Sequence, residues 1–161
     1  MSHILVNCLA IERHIVWSKA RELWPYNPQS WPEINLGIIM GIGCIKALDN
    51  RMRRDRDNVV ILIKAKGRTR LLQIIISEAS HLIWVLQCDR EIQGIKHLVQ
   101  QIKAKWIKAI NNRLTTDRIT VTKIKRDEAY TKLINTMWKH ALKKKNIYHQ
   151  NWLQRLEVFS G

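Results

Sequence analysis

Few residues of this 161-residue chain stand at spacings that chemistry could use. His3 and Cys8 come nearest. An imidazole and a thiolate spaced H-x4-C match the second half of a zinc knuckle and supply two of the four ligands a tetrahedral site needs, but only Met1 and Ser2 precede them. The expected metal set is therefore His3 and Cys8 alone, an incomplete site that stays empty unless upstream ligands are supplied; no other cofactor is expected. Cys44 and Cys88 lie far away and no pair forms C-x-x-C, which predicts reduced thiols and no disulfide framework. Ser77 and His81 share a helical face at i, i+4, yet no acid is placed to orient the imidazole. Glu78 and Asp89 sit on one predicted helix about three turns apart, too far to share a divalent ion. Asp55 and Asp57 lie among arginines, where neutralising their neighbours is the expected role. Phosphate loops fail as well: G-x-x-x-x-G-K-[ST] is absent, and Gly41-Ile42-Gly43 lacks the third glycine and the preceding strand of a dinucleotide site. No catalytic residue is assigned.

Charge is the intrinsic lead. The formal net charge is +15, and it is unevenly spread. Residues 1–50 are neutral, residues 51–70 carry +6, residues 71–94 carry −2 and residues 95–161 carry +11. A field of that sign attracts polyanions, nucleic acid first among them, with an affinity that falls steeply with salt. The expected phosphate-contacting set is Arg51, Arg53, Arg54, Arg56, Lys64, Lys66, Arg68 and Arg70, with Lys143, Lys144 and Lys145 second. Such contacts position a nucleic acid without reading its bases.

The elements that must carry these residues are mainly α. Ile11, Ile15, Val16, Ala20, Leu23 and Trp24 form one helical stripe, which Trp24-Pro25 ends. Pro25, Pro28 and Pro32 lie in a turn-rich connector over 25–35, and residues 36–48 read as a buried helix despite Gly37, Gly41 and Gly43. Residues 50–58 form a basic loop, and Gly67 punctuates the chain before the next long helix. Leu71, Leu72, Ile75, Ile76, Ala79, Leu82, Ile83 and Leu86 predict that helix over about 68–92. Leu98, Ile102, Trp106, Ile110 and Leu114 predict a second over about 95–115. Joined by the short turn at Gly94, the two should pack antiparallel. Thr115, Thr116 and Asp117 offer a helix end. Residues 59–63 fit either a short strand or the start of a helix, which periodicity alone does not decide, and the alternation over 119–125 suits a short extended piece; a helix follows over 127–142 with Ala129, Leu133, Met137 and Ala141 inward and Ile134 and Trp138 widening the stripe. The fold class expected is an irregular helical bundle: residues 1–9 as a remnant half-knuckle and residues 10–161 as one basic helical domain. The longest apolar runs, 59–63 and 82–86, fall short of a membrane span, and no secretory signal opens the chain; an intracellular protein, nuclear or cytoplasmic, with no membrane partner is expected.

Several stretches resemble a known family. MSHILVNC resembles the end of the zinc-binding region that follows the ribonuclease H part of reverse transcriptases from fungal non-LTR retrotransposons. HIVWSKARELW and WPEINLGIIMGIGC are similar to the helix and tryptophan-proline connector after it. Ser77, Glu78, Ala79, His81, Leu82, Ile83 and Trp84 match the family's Ser-Glu-Ala-x-His-Leu-Ile-Trp segment. Trp106, Ala109, Ile110, Asn111, Arg113 and Leu114 match its tryptophan and Ala-Ile-Asn-x-Arg-Leu helix, and NWLQRLEVFSG is like its closing stretch. The resemblance spans essentially the whole chain and departs most over 119–145. It implies the C-terminal region of such a polyprotein, with polymerase and ribonuclease H activities in upstream domains, and a reading frame that begins inside the zinc motif. The expected function is an accessory nucleic-acid-binding module without catalysis of its own. The alternatives are a helical module packing against other domains of the polyprotein, with Trp31 and Trp152 as anchors, or a nonfunctional truncated relic.

Overall fold

The computed structural model describes Leu5 and residues 10–44, 58–123 and 128–144, the side chains of 58–64 and 143–144 excepted. Every regular element among these residues is helical: α1 (Ile11–Leu23), α2 (Leu36–Met40), α3 (Asn58–Gln93), α4 (Val99–Lys123) and α5 (Glu128–Lys144), with 3-10 turns at Pro28–Ser30 and Ile42–Cys44. The core lies between α1, α3, α4 and α5. This is the irregular helical bundle that the periodicity predicts.

α1 buries Val16, Ala20 and Leu23, one residue per turn, and ends where Trp24 turns extended before Pro25. Ile11, expected on the buried stripe, is exposed. The proline connector is tightly bonded. Asn27 accepts from the Gln29 N–H, the Ser30 hydroxyl donates to the Asn27 carbonyl, and Trp24 Nε1–H donates to Ser30 Oγ at 3.0 Å. These bonds seat Trp24 against Tyr26 and Trp31 in edge contacts. Trp31 is thus half-buried on a neighbouring ring, while Trp152 lies outside the described residues.

The buried helix expected over 36–48 is corrected to a five-residue α2 and the turn Ile42–Cys44, neither of which buries a residue. Asn35 caps α2 by accepting from the Ile38 N–H at 2.9 Å. Gly41 ends it: its N–H returns to the Gly37 carbonyl at 2.9 Å, so close that a Cβ there would meet the same oxygen at 2.9 Å. Residues 45–48 lie outside the described part.

α3 runs for 36 residues, about 54 Å at 1.5 Å per residue. All eight of its predicted inward positions are buried, and Ile74 joins them. Of the two readings open for residues 59–63, the helix holds; no strand exists among the described residues to pair with them, whereas a helix satisfies their backbone groups within the segment. The break expected at Gly67 is corrected: the residue lies inside the helix opposite Met137 of α5, where a Cβ would stand at an ordinary contact distance of 3.6 Å. The stretch Ala65–Gln93 is long and apolar enough to cross a membrane by length and composition, a property that counting uninterrupted apolar runs misses; 56% of its apolar window is buried inside the fold.

Gly94, at φ +67, ends α3 in a conformation that costs other residues free energy. α4 then runs back antiparallel. Asp89 of α3 meets Lys105 early in α4, while Arg70, nineteen residues earlier in α3, meets Asp117 near the end of α4. The helix end expected at 115–117 and the extended piece at 119–123 are also corrected, since α4 continues to Lys123. Its threonines face back along the helix: Thr116 Oγ1–H donates to the Asn112 carbonyl and Thr120 Oγ1–H to that of Thr116. Asp117 points inward on the stripe Ile102, Trp106, Ile110, Leu114, Asp117, Val121. Residues 124–127 lie outside the described part. In α5 the buried side is Ile134, Met137, Trp138, Ala141 and Leu142; Ala129 is exposed and Leu133 only half-buried. The inward face is thus rotated toward the tryptophan.

Candidate nucleic-acid interface

Of the expected phosphate-contacting residues, Arg51, Arg53, Arg54, Arg56 and Lys145 lie outside the described residues, as do His3 and Cys8. Lys64 sits on α3 and Lys143 and Lys144 on the last turn of α5. The three that can be placed in detail differ sharply. Lys66 is exposed. The half-buried Arg68 lays its guanidinium over the Tyr26 ring, 4.4 Å from the centroid. Arg70 turns into the bundle: it forms a salt bridge with Asp117 and lies 5.8 Å from the Tyr130 ring centroid.

Packing joins two basic segments that are far apart in sequence. Met137 against Gly67 sets the C-terminal half of α5 beside Lys66 and Arg68. The His140 ring stands 5.6 Å from Tyr26, on the same aromatic group that Arg68 covers. Lys139 and His140 are exposed, and Lys143 and Lys144 follow within about one turn. Lysines at that terminus also complement the negative end of the α5 dipole. Burial raises the Tyr26 phenol pKa above its ordinary value, and the charge of Arg68 and its hydrogen bond oppose that rise. The phenol is neutral at physiological pH, an aromatic face covered by the Arg68 guanidinium.

Among the described residues, the buried charged side chain is one that the local sequence pattern does not reveal. Asp117 is 2% exposed and accepts hydrogen bonds from Arg70 and, at 2.8 Å, from Trp138 Nε1–H. Locally Thr-Thr-Asp looks like a helix boundary. The one signal in the sequence is that position 117 falls on the apolar stripe of α4.

At the opposite end of α3 the charges are paired. Arg90 reaches Glu12 of α1 at 3.3 Å and Glu91 at 3.2 Å. Asp89 Oδ2 lies 3.0 Å from Lys105 Nζ and 2.8 Å from His97 Nε2. Hydrogen bonds from Lys105 and His97 hold the Asp89 carboxyl below the usual carboxylate range.

The remaining candidates for chemistry stay apart. Ser77 and His81 both face solvent on α3, Cys44 is exposed and Cys88 half-buried. Among the described residues no three His, Cys, Asp or Glu side chains converge on a point that could hold a metal ion. No family model, curated protein or solved structure matches the chain.

Proposed function

We propose that this chain is a helical module that binds RNA or DNA without sequence preference, through cations gathered where the N-terminal half of α3 meets the C-terminal half of α5. The observation that carries the reading is this gathering: Gly67 against Met137 brings the α3 segment of Lys66 and Arg68 beside the α5 segment of Lys139 and His140, with Arg68 and His140 both on Tyr26. The role is accessory and non-catalytic, in line with the resemblance to the C-terminal region of a retrotransposon polyprotein, and it requires no cofactor.

Filter binding of RNA and of duplex DNA across a salt series tests it. If about four to six phosphates are neutralised, the logarithm of the association constant falls with that of salt at a slope of about −4 to −5 for duplex DNA. Affinity that is absent, or indifferent to salt, removes the proposal. Arg70 separates binding from folding: held by Asp117, it should matter for stability, whereas Lys66→Glu and Lys139→Glu should weaken binding in a folded protein.

A further inference from the structure

Five large aliphatic side chains crowd the end of the bundle where α3 turns into α4. Ile92 is 79% exposed, Leu98 69%, Ile95 42% and Val99 41%; Ile11, 61% exposed, joins them because the next residue, Glu12, is bonded to Arg90. These residues stabilise the single chain little, and Leu98 shows it best. It stands immediately before α4, where its carbonyl accepts from the Ile102 N–H at 3.1 Å and its own N–H donates to Gln101 Oε1 at 2.8 Å. That is the N-cap position, which favours Ser, Thr, Asn or Asp because their side chains accept from the first free N–H groups. Leucine there neither caps the helix nor enters the core.

We infer that this tip is the contact surface for a second copy of the chain, in a twofold, tip-to-tip dimer. Charge selects that occupant. Glu91 and Lys96 flank the turn, both exposed and of opposite sign. A twofold contact that sets Glu91 of each copy beside Lys96 of the other makes two equivalent ion pairs, with Glu91 exchanging its bonds to Arg90 and Gln87 for Lys96. The tip is also the place where two strongly positive chains can approach. Its other neighbouring charges are internally paired, through Arg90 with Glu12 and through Asp89 with Lys105. Lys66 lies about 40 Å away along α3. In a tip-to-tip dimer the two basic regions stand several Debye lengths apart, each about 8–10 Å at moderate salt. Ten aliphatic side chains, five from each copy, bury on the order of 1,000 Å² in total, the lower end of specific interfaces, so a micromolar, reversible dimer is expected.

Sedimentation equilibrium of the full, nuclease-treated chain tests this. The expected result is a monomer–dimer equilibrium that varies little with salt, because the basic regions are already screened from each other and the contact is mainly apolar; association through contaminating nucleic acid would weaken steeply instead. Leu98→Asp should weaken the dimer by at least about tenfold while leaving the melting temperature equal or higher, since aspartate caps α4. Ile119→Asp, at an exposed apolar residue elsewhere on α4, should leave the dimer intact. Glu91→Lys should weaken it, and Glu91→Lys with Lys96→Glu should restore it. The inference is overturned by a chain that stays monomeric at every concentration, by a dimer that survives Leu98→Asp, by equal effects of Leu98→Asp and Ile119→Asp, or by failure of the double exchange to restore association. A monomer that co-floats with phospholipid vesicles through Leu98 would assign the tip to a lipid surface and likewise overturn the dimer.

Discussion

The two ends of α3 handle charge in opposite ways. Near its C-terminus, Arg90 lies between Glu12 and Glu91, and Asp89 between Lys105 and His97, so cations and carboxylates of three helices are tied to one another at the surface. Toward its N-terminus the carboxylate is inside. Asp117 draws only Arg70 inward, while Lys66 stays exposed and Arg68 rests on Tyr26. Surface pairs of the first kind add little to stability and leave little net field. A single buried pair with outward cations around it fixes the packing and leaves a positive surface. Lys66 on α3 and Lys139 on α5 thus remain exposed on two of the helices that the buried pair holds together.

The strongest way to break this contrast is at Asp117. Asp117→Ala strands the Arg70 guanidinium and the Trp138 N–H in a buried site, and the expected loss is about 3–4 kcal/mol in urea unfolding. Replacing Arg70 and Asp117 together by apolar residues of similar volume should recover much of that loss, because no charge is then left uncompensated. Equal losses in the single and double variants would show that the ion pair does not carry the effect. In either variant, nucleic-acid affinity measured on the folded fraction should change little.

Next in size is the outward face. Lys66→Glu and Lys139→Glu together should weaken RNA binding by about tenfold or more and flatten its salt dependence, with thermal stability nearly unchanged. Arg90→Gln at the paired end should do the reverse, costing a little stability and sparing affinity. If both changes weaken binding alike, the positive field belongs to the whole molecule and not to one end.

Much of the fold was legible because it rests on short-range rules. The eight inward positions of α3, the proline stop after α1 and the antiparallel return after Gly94 follow from periodicity and backbone preference. Other features depend on partners far along the chain. Asp117 resembles a helix boundary until Trp138, 21 residues on, and Arg70, 47 residues back, give it a reason to face inward. Leu98 continues the four-residue spacing of α4, yet the helix begins one residue later, beyond the reach of α3. The candidate site was half legible. Its basic segments could be read from composition, but their meeting shows only in the packing of the Gly67 stretch of α3 against Met137 and in the Tyr26 contacts of the connector. Neither contact has a local sequence signal.

Gly94 offers a smaller test. A Cβ there meets no neighbour within 4 Å, so Gly94→Ala isolates the backbone cost of φ +67, about 1 kcal/mol, read from the unfolding midpoint. A neutral result would mean that the turn relaxes without disturbing the pairs around it.

The smallest expected effect is the dependence of the paired end on pH. Asp89 has a folded-state pKa below its ordinary 3.8, first because of its hydrogen bond from Lys105 and then because of that from His97. A carboxyl whose pKa is depressed by folding adds stability that is fully present above its unfolded pKa and is lost as pH falls through the folded value. The melting temperature should therefore decline below about pH 4, and Asp89→Asn should remove part of that decline while lowering stability slightly at neutral pH. If Asp89→Asn leaves the acid limb unchanged, the surface pairs contribute nothing to folding, and the buried pair alone sets how the bundle is held.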